Sequence, residues 1–345
     1  MTKQLLLVGS AALMTPHIIR ARTRDALATF DQQTIDAAGA FLVGELERMD
    51  QTINEPLVNV TWSRDIDLRE DVSIADEVAS FTNSSFAAAG GTNPNGKAWI
   101  GKDANAIASM SLDIGKTPQP LNLWGMELSW TLPELASAQQ IGRPIDTQKY
   151  DGMVLKHNMD VDEQVYIGDA LLPNCYGLLN LAAVTPSNVP NGAGGSPLFI
   201  NKTPDEILKD VNTLTSNAWT ASGWAQAPTD LRLPPPQFSY LTSTKVSSAG
   251  NMSILQFIRE NSLSNEINGR PINIQPLKWL VGRGAGGADR MMVYTKNPKY
   301  VRFPLVPLQR TPVEYRSLYQ ITTYYGRLGQ VEARYPETIA YADGI

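Results

Sequence analysis

The chain has 345 residues, 43% of them hydrophobic and 18% charged, with a formal net charge of −5. That apolar share can bury one large core or two modest ones, which excludes a disordered chain. The acidic balance excludes a nucleic-acid binder held by general basic excess, and no apolar run reaches the length of about 18 residues that a membrane span needs.

Gly (26) and Pro (23) are frequent and charge is sparse, as in a loop-rich α+β protein that commits much surface to neighbours. The single cysteine, Cys175, excludes an internal disulfide framework and fits a reducing compartment. Charge is unevenly placed. Residues 270–345 hold eleven Lys/Arg against five Asp/Glu, and the rest holds eighteen against twenty-nine. Such halves are either two solvated faces or complementary surfaces that meet between subunits.

Residues 1–55 read as an arm. Lys3 precedes Leu5-Leu6-Leu7-Val8 and Ala11-Ala12-Leu13-Met14, much like a short secretory h-region. A single basic residue and no clear A-x-A site argue that the segment stays on and docks. Arg20, Arg22 and Arg24 follow, then helical spacing at Ile35, Phe41, Leu42 and Leu46.

Residues 56–120 alternate strand-like runs with turn chemistry. Leu57 to Trp62 reads as a strand, Ala87 to Gly96 as a flexible tip, and Lys97-Ala98-Trp99-Ile100 as renewed strand. A two-stranded excursion is marginal alone in water, so it is expected to lie on a neighbour. Residues 45–77 hold ten acids, among them Asp65, Asp67, Glu70 and Asp71, against Arg48, Arg64 and Arg69. Part of this segment is expected to face basic residues of a neighbouring chain. Candidates are Arg143, Lys149 and Lys156, or the stretch from Lys278 to Arg302.

Thr131-x-x-Glu134, with Pro133 in the first turn, is a capping box. After Gly142-Arg143-Pro144, the residues Tyr150, Val154, His157, Val161, Val165 and Gly168 mark one face of a helix. From Asp146 to Gly168 it would run roughly 35 Å at about 1.5 Å per residue. Residues 185–197 read as a linker. Thr203-Pro204-Asp205-Glu206 caps a second helix faced by Ile207, Val211, Leu214 and Ala218, and Pro234-Pro235-Pro236 predicts an extended stretch. A short helix is expected over Ser253 to Leu263, and strands over Ile272 to Val281 and Met291 to Tyr294. A last strand carries Tyr315, Ser317, Tyr319, Ile321, Thr323 and Tyr325 on one face.

The search for chemistry is negative: no catalytic, cofactor or metal residues are assigned. Of the two histidines, His17 and His157, the second falls on an apolar stripe and reads as a core or interface residue. Cys175 has no nearby histidine in sequence to activate it, and three Cys/His in all do not make a zinc site. Gly282 to Gly287 matches G-x-G-x-x-G, yet a strand follows where a dinucleotide site needs a helix, so a glycine-rich hairpin tip is expected. The acids around Asp65 and around Asp160 lack calcium-loop spacing, and the N-x-[ST] triplets at Asn59, Asn83, Asn201 and Asn251 mean little without a secretory signal.

Three stretches carry a resemblance. The first is Leu128-Ser129-Trp130-Thr131-x-x-Glu134-Leu135-x-x-Ala138-x-x-x-Gly142-x-Pro144-Ile145-Asp146-x-x-Lys149. The second is Gly168-Asp169 followed by Gly177-Leu178-Leu179-Asn180, and the third is Pro228-Thr229-Asp230-Leu231-Arg232-Leu233-Pro234. With the order of parts, they resemble the major capsid proteins of tailed bacteriophages with the Hong Kong 97-type fold. That resemblance implies an α+β fold with an N-terminal arm (1–55), an extended E-loop (56–120), a P-domain with a long spine helix (121–189), an A-domain (190–305) and P-domain return strands (306–345). It implies a structural protein that self-assembles through hexamers and pentamers into an icosahedral shell around double-stranded DNA. Scaffolding, portal and decoration proteins would be further partners, with no membrane, and assembly would take place in the host cytoplasm. Some capsids of this fold crosslink an E-loop lysine to an asparagine. Lys97, Lys102 and Asn297 are on offer, their spacing is not diagnostic, and a non-covalent shell is expected. The alternatives are an encapsulin-like nanocompartment shell, a tail or baseplate protein and, remotely, a nicotinamide-dependent oxidoreductase through Gly282–Gly287.

Overall fold

The computed structural model describes residues 58–89, 109–141, 145–172, 175–247 and 251–345. The expected arm over 1–55, Lys97, Lys102 and Arg143 lie outside the described residues.

In chain order the elements are α1 (Trp62–Asp65), β1 (Asp67–Arg69), β2 (Val78–Ala89), β3 (Ser109–Pro120), β4 (Asn122–Thr131), α2 (Leu132–Ile141), α3 (Ile145–Tyr166), β5 (Ser187–Asn188), α4 (Pro204–Ala221) and β6 (Asp230–Leu233). There follow α5 (Pro235–Ser243), α6 (Ile254–Asn261), α7 (Leu263–Asn268), β7 (Asn273–Pro276), β8 (Arg290–Tyr294), β9 (Val301–Arg310), β10 (Glu314–Arg316), β11 (Tyr319–Leu328), β12 (Glu332–Ala333) and β13 (Ala340–Asp343).

They form two sheets and a ribbon. The six-stranded sheet runs β1-β9-β11-β10, with β12 added on β9 and β4 along β11; the five-stranded sheet runs β5-β13-β8-β6-β7. The ribbon is β2 and β3 alone, antiparallel over twelve residue pairs from Val78↔Pro120 to Ala89↔Ser109.

Period two decides what each sheet buries. On β4, Trp124, Met126, Leu128 and Trp130 alternate with exposed residues and pack with Met153 and Val154 of α3. The five-stranded sheet is buried on both faces. Leu231, Leu233, Met291 and Val293 face one way into the core with Ile207, Val211 and Leu214 of α4. Met292, Tyr294 and Tyr341 face the other way, against Val161, Val165 and Tyr166 of α3 and Phe303 of β9. The end of α3 therefore joins the two sheets into one body.

The long helix forms with Met153, His157, Val161 and Val165 as its buried stripe, while Tyr150 is exposed. It stops where Gly168 takes φ +75, a left-handed turn that glycine adopts without strain. Both capping boxes form. Thr131 Oγ1 accepts from the Glu134 amide at 3.2 Å, and Thr203 and Glu206 cap α4 reciprocally.

Four expectations are corrected. Of the strand expected over Leu57–Trp62, the described residues 58–62 form none: the Asp162 carboxylate accepts the Thr61 and Trp62 amides at 2.8 and 3.0 Å, and the chain turns into α1. Pro235 and Pro236 begin α5 rather than an extended run, since proline suits the first helical turn where amides have no partner anyway. The strand expected over Ile272–Val281 is only β7, followed by a single 3-10 turn over Lys278–Leu280. The strand around Tyr315 breaks at Ser317, whose φ is +58, into β10 and β11. The last strand, β13, pairs with β8 and β5 in the five-stranded sheet.

Candidate functional site

Arg232 lies on β6 between Leu231 and Leu233, so the alternation that buries those leucines sends it to the opposite face. There its Nε donates to Asp65 Oδ1 at 3.0 Å and its Nη2 to Asp230 Oδ1 at 3.0 Å. Asp65 also receives Arg64 at 2.7 Å and the Tyr166 hydroxyl at 2.6 Å, while its backbone carbonyl accepts from the Tyr294 hydroxyl at 2.8 Å. Burial alone would raise the Asp65 carboxyl, but the Arg64 hydrogen bond, the Arg232 charge and the Tyr166 hydroxyl outweigh it and hold it below the ordinary carboxylate value. Burial pushes the Tyr166 and Tyr294 hydroxyls up, so both stay donors.

Asp162 forms a second junction. Besides capping α1 it accepts the Trp279 indole at 2.6 Å and sits 3.2 Å from Lys278 Nζ. The start of the described chain is thus tied to the end of α3 and to both sheets.

These pairings decide where the expected intersubunit residues go. Asp65 is corrected: it is fully buried, its partners belong to its own chain, and it offers nothing to a neighbour. Asp67 lies 3.7 Å from Lys296, inside the expected basic stretch but within one chain. Asp71 is exposed and paired with Arg69, which also reaches Glu332. Lys149 pairs with Glu134 at 3.0 Å and Lys156 with Asp160, each on its own subunit. Glu70 is exposed. Among the described residues, Asp67 and Lys296 are the pair that joins the acidic segment to the expected basic stretch within the subunit.

His157 is buried, edge-on to Trp124 at 4.8 Å, and burial lowers its pKa. Cys175 is buried and its Sγ accepts from Gln164 Nε2 at 2.9 Å. The Gly282–Gly287 loop leads into β8, not a helix. Its Gly282 and Ala285 amides donate to the Asp289 and Asp343 carboxylates at 2.8 and 3.0 Å. Amides that a pyrophosphate would need are held by carboxylates of the chain itself, which overturns the nicotinamide alternative. Among the described residues no group of three or more His, Cys, Asp and Glu could hold a metal ion, and no helix is long and apolar enough to cross a membrane.

The feature that faces outward is the ribbon. At its root Ala79, Phe81 and Gln119 are buried on one face. On the other, Met110, Leu112 and Ile114 are 72%, 54% and 60% exposed. Their alternation, Met110-x-Leu112-x-Ile114, was readable in the sequence as a half-apolar strand but was not singled out. Arg232 was quoted only as part of a motif; nothing local marks a strand arginine as buried.

The fold has known counterparts. The capsid of Myoviridae phage XM1 is similar with a TM-score of 0.65 at 17% identity, covering 87% of this chain and 97% of that one. The capsid of an empty GTA particle is similar at 0.53 and 12% identity, over 89% and 97% of the two chains. Gordonia phage Cozz gives 0.51 at 14% identity, over 89% and 93%. No curated protein sequence matches. The family described as major capsid protein matches residues 96–345, well over half of the sequence, and the chain therefore belongs to the major capsid protein family.

Proposed function

We propose that the chain is the repeating subunit of the icosahedral head shell of a tailed phage, joined in hexamers and pentamers around double-stranded DNA and built in the host cytoplasm. Its role is structural, without catalysis. Scaffolding, portal and decoration proteins are its further partners, and DNA is held without sequence specificity.

The observation that carries this reading is the ribbon. Ser109 to Pro118 are all exposed, with three large apolar side chains in a row on one face. A two-stranded ribbon has no core of its own, and an apolar stripe of this kind marks a surface meant to be covered. A shell supplies the cover by laying each ribbon on the next subunit. The matched family and the capsid folds support the same reading. Within this proposal the ribbon of β2 and β3 belongs to the E-loop expected over 56–120, the six-stranded sheet with α3 serves as the P-domain, and the five-stranded sheet with α4 to α7 as the A-domain.

Electron microscopy of the purified chain tests it. Closed shells are expected; tubes, rings or a stable monomer at micromolar concentration sink it. Shells that enclose a protein cargo and no nucleic acid would move the chain to the nanocompartment reading. The shell is held non-covalently, so boiling assembled particles in detergent should give one band near 37.7 kDa; a ladder of larger species would show crosslinking.

A further inference from the structure

An aromatic cluster unrelated to the ribbon sits where α4 turns into β6. Trp224 has φ +65, directly after Gly223 at φ +66. A bulky side chain pays conformational free energy to sit there. The subunit does not recover it by burying the ring, which stays 58% exposed. The turn is nonetheless tightly tied. The Trp224 amide donates to Trp219 O at 2.9 Å, the Trp219 indole donates to Trp224 O at 3.0 Å, and Ser222 Oγ accepts the Gln226 amide at 3.2 Å. The two indole rings meet edge-to-face at 4.5 Å.

Two further segments extend the cluster. Gln226 Oε1 accepts from the Tyr300 hydroxyl at 3.1 Å, and Tyr300 stacks edge-on against Tyr335, itself 46% exposed, at 5.7 Å. Lys299 Nζ lies 5.6 Å from the centre of the Tyr300 ring. Exposed Trp and Tyr held by these hydrogen bonds and ring contacts have the composition of a protein interface centre, with Lys299 as a charge at its rim. Duplex DNA fits poorly, because its bases are already stacked and aromatic platforms serve single strands. A copy of this chain offers a complement of opposite charge: Glu70, Asp76 and Glu77 are exposed in the loop between β1 and β2.

We propose that Trp224, Tyr300, Tyr335 and Lys299 form a docking patch for a second copy of this chain, which presents its acidic loop of residues 70–77. The proposal rests on the reading that copies of the chain assemble. It makes the Trp224 backbone strain a property of the assembly surface rather than of the fold.

Full-length chain and four variants separate the possibilities, with assembly read by sedimentation velocity and electron microscopy and subunit stability by thermal melting. Trp224→Gly removes the strained side chain, so the isolated subunit should melt no lower than wild type while its assembly weakens at least about tenfold, the scale of one interface anchor. Lys299→Glu and Glu77→Lys should each weaken assembly, more so at low salt, and the two together should restore it. Wild type and Trp224→Gly assembling equally would overturn the patch. A double variant no better than the single ones, or Trp224→Gly that assembles normally but loses nucleic acid, would do the same. Wild type that stays monomeric would overturn the shell reading and the patch with it.

Discussion

Arg232 and Asp65 stand 167 positions apart in the chain, yet their side chains meet at 3.0 Å with neither exposed to solvent. Two charges removed from water are costly unless geometry and further hydrogen bonds compensate. Here they do, since Asp230, Arg64 and Tyr166 complete the set. The pair clamps the segment that enters the body at residue 61 between the five-stranded sheet and the end of α3.

Breaking that pair should be expensive. Arg232→Met leaves the Asp65 carboxylate buried with one cation fewer, and a loss of about 3–5 kcal/mol is expected. Adding Asp65→Asn should cost much less than its effect alone, because the two substitutions share one interaction. Urea unfolding of the isolated subunit measures both; additive costs would show that the two residues act independently.

A pH dependence follows from His157. Burial lowers its pKa from 6.5, with Asp160 opposing the shift only partly, so the unfolded chain binds a proton that the fold rejects. Stability from this site is complete above pH 6.5 and falls as pH drops below it. Asp65 and Asp71, both shifted below the ordinary value of 3.8, contribute above that pH and lose their contribution below it. The two windows are separate. His157→Phe keeps a ring against Trp124 and removes a buried nitrogen that has no partner. It should flatten the stability profile between about pH 6.5 and 5, and an unchanged slope there would exclude His157 as its source.

What could be read from the sequence follows from how local each signal is. Capping boxes at Thr131 and Thr203 and the stripe through His157, Val161 and Val165 are set by residues a few positions apart, and all appear in the structure. The start of α5 at Pro235 went astray because a proline run fits both an extended chain and a first helical turn. Asp65 was taken for a surface acid because its partner Arg232 is brought in by the fold alone. The same holds for Trp224, whose left-handed backbone has no signature in its neighbours.

Gly177 gives a test of the seam between α3 and the sheets. Its amide donates to Ile167 O at 3.2 Å and Asn180 Oδ1 at 2.7 Å. A Cβ placed there would stand 2.3 Å from the Tyr166 carbonyl carbon and 2.4 Å from the Ile167 nitrogen. That Tyr166–Ile167 peptide cannot yield without moving the last turn of α3. Gly177→Ala should therefore cost about 3 kcal/mol, seen as a lower urea midpoint; a change within about 0.5 kcal/mol would mean that the seam is looser than it looks.

The ribbon yields the sharpest separation of folding from assembly. Leu112 and Ile114 are more than half exposed and belong to a strand whose exposed stretch runs from Ser109 to Pro118. Exposed substitutions of this kind change stability by no more than about 0.5 kcal/mol. A carboxylate at either place would, in the shell, have to leave water against an apolar neighbour, at a cost of several kcal/mol per subunit. That penalty recurs at every copy of the contact, so even a modest cost per site stops closure. Leu112→Asp and Ile114→Asp should melt like wild type and form no shells, while Asp113→Ala, on the opposite face, should still assemble. Thermal melting and electron microscopy on the same preparations decide the matter: shells from Leu112→Asp at wild-type yield would show that this face stays in solvent.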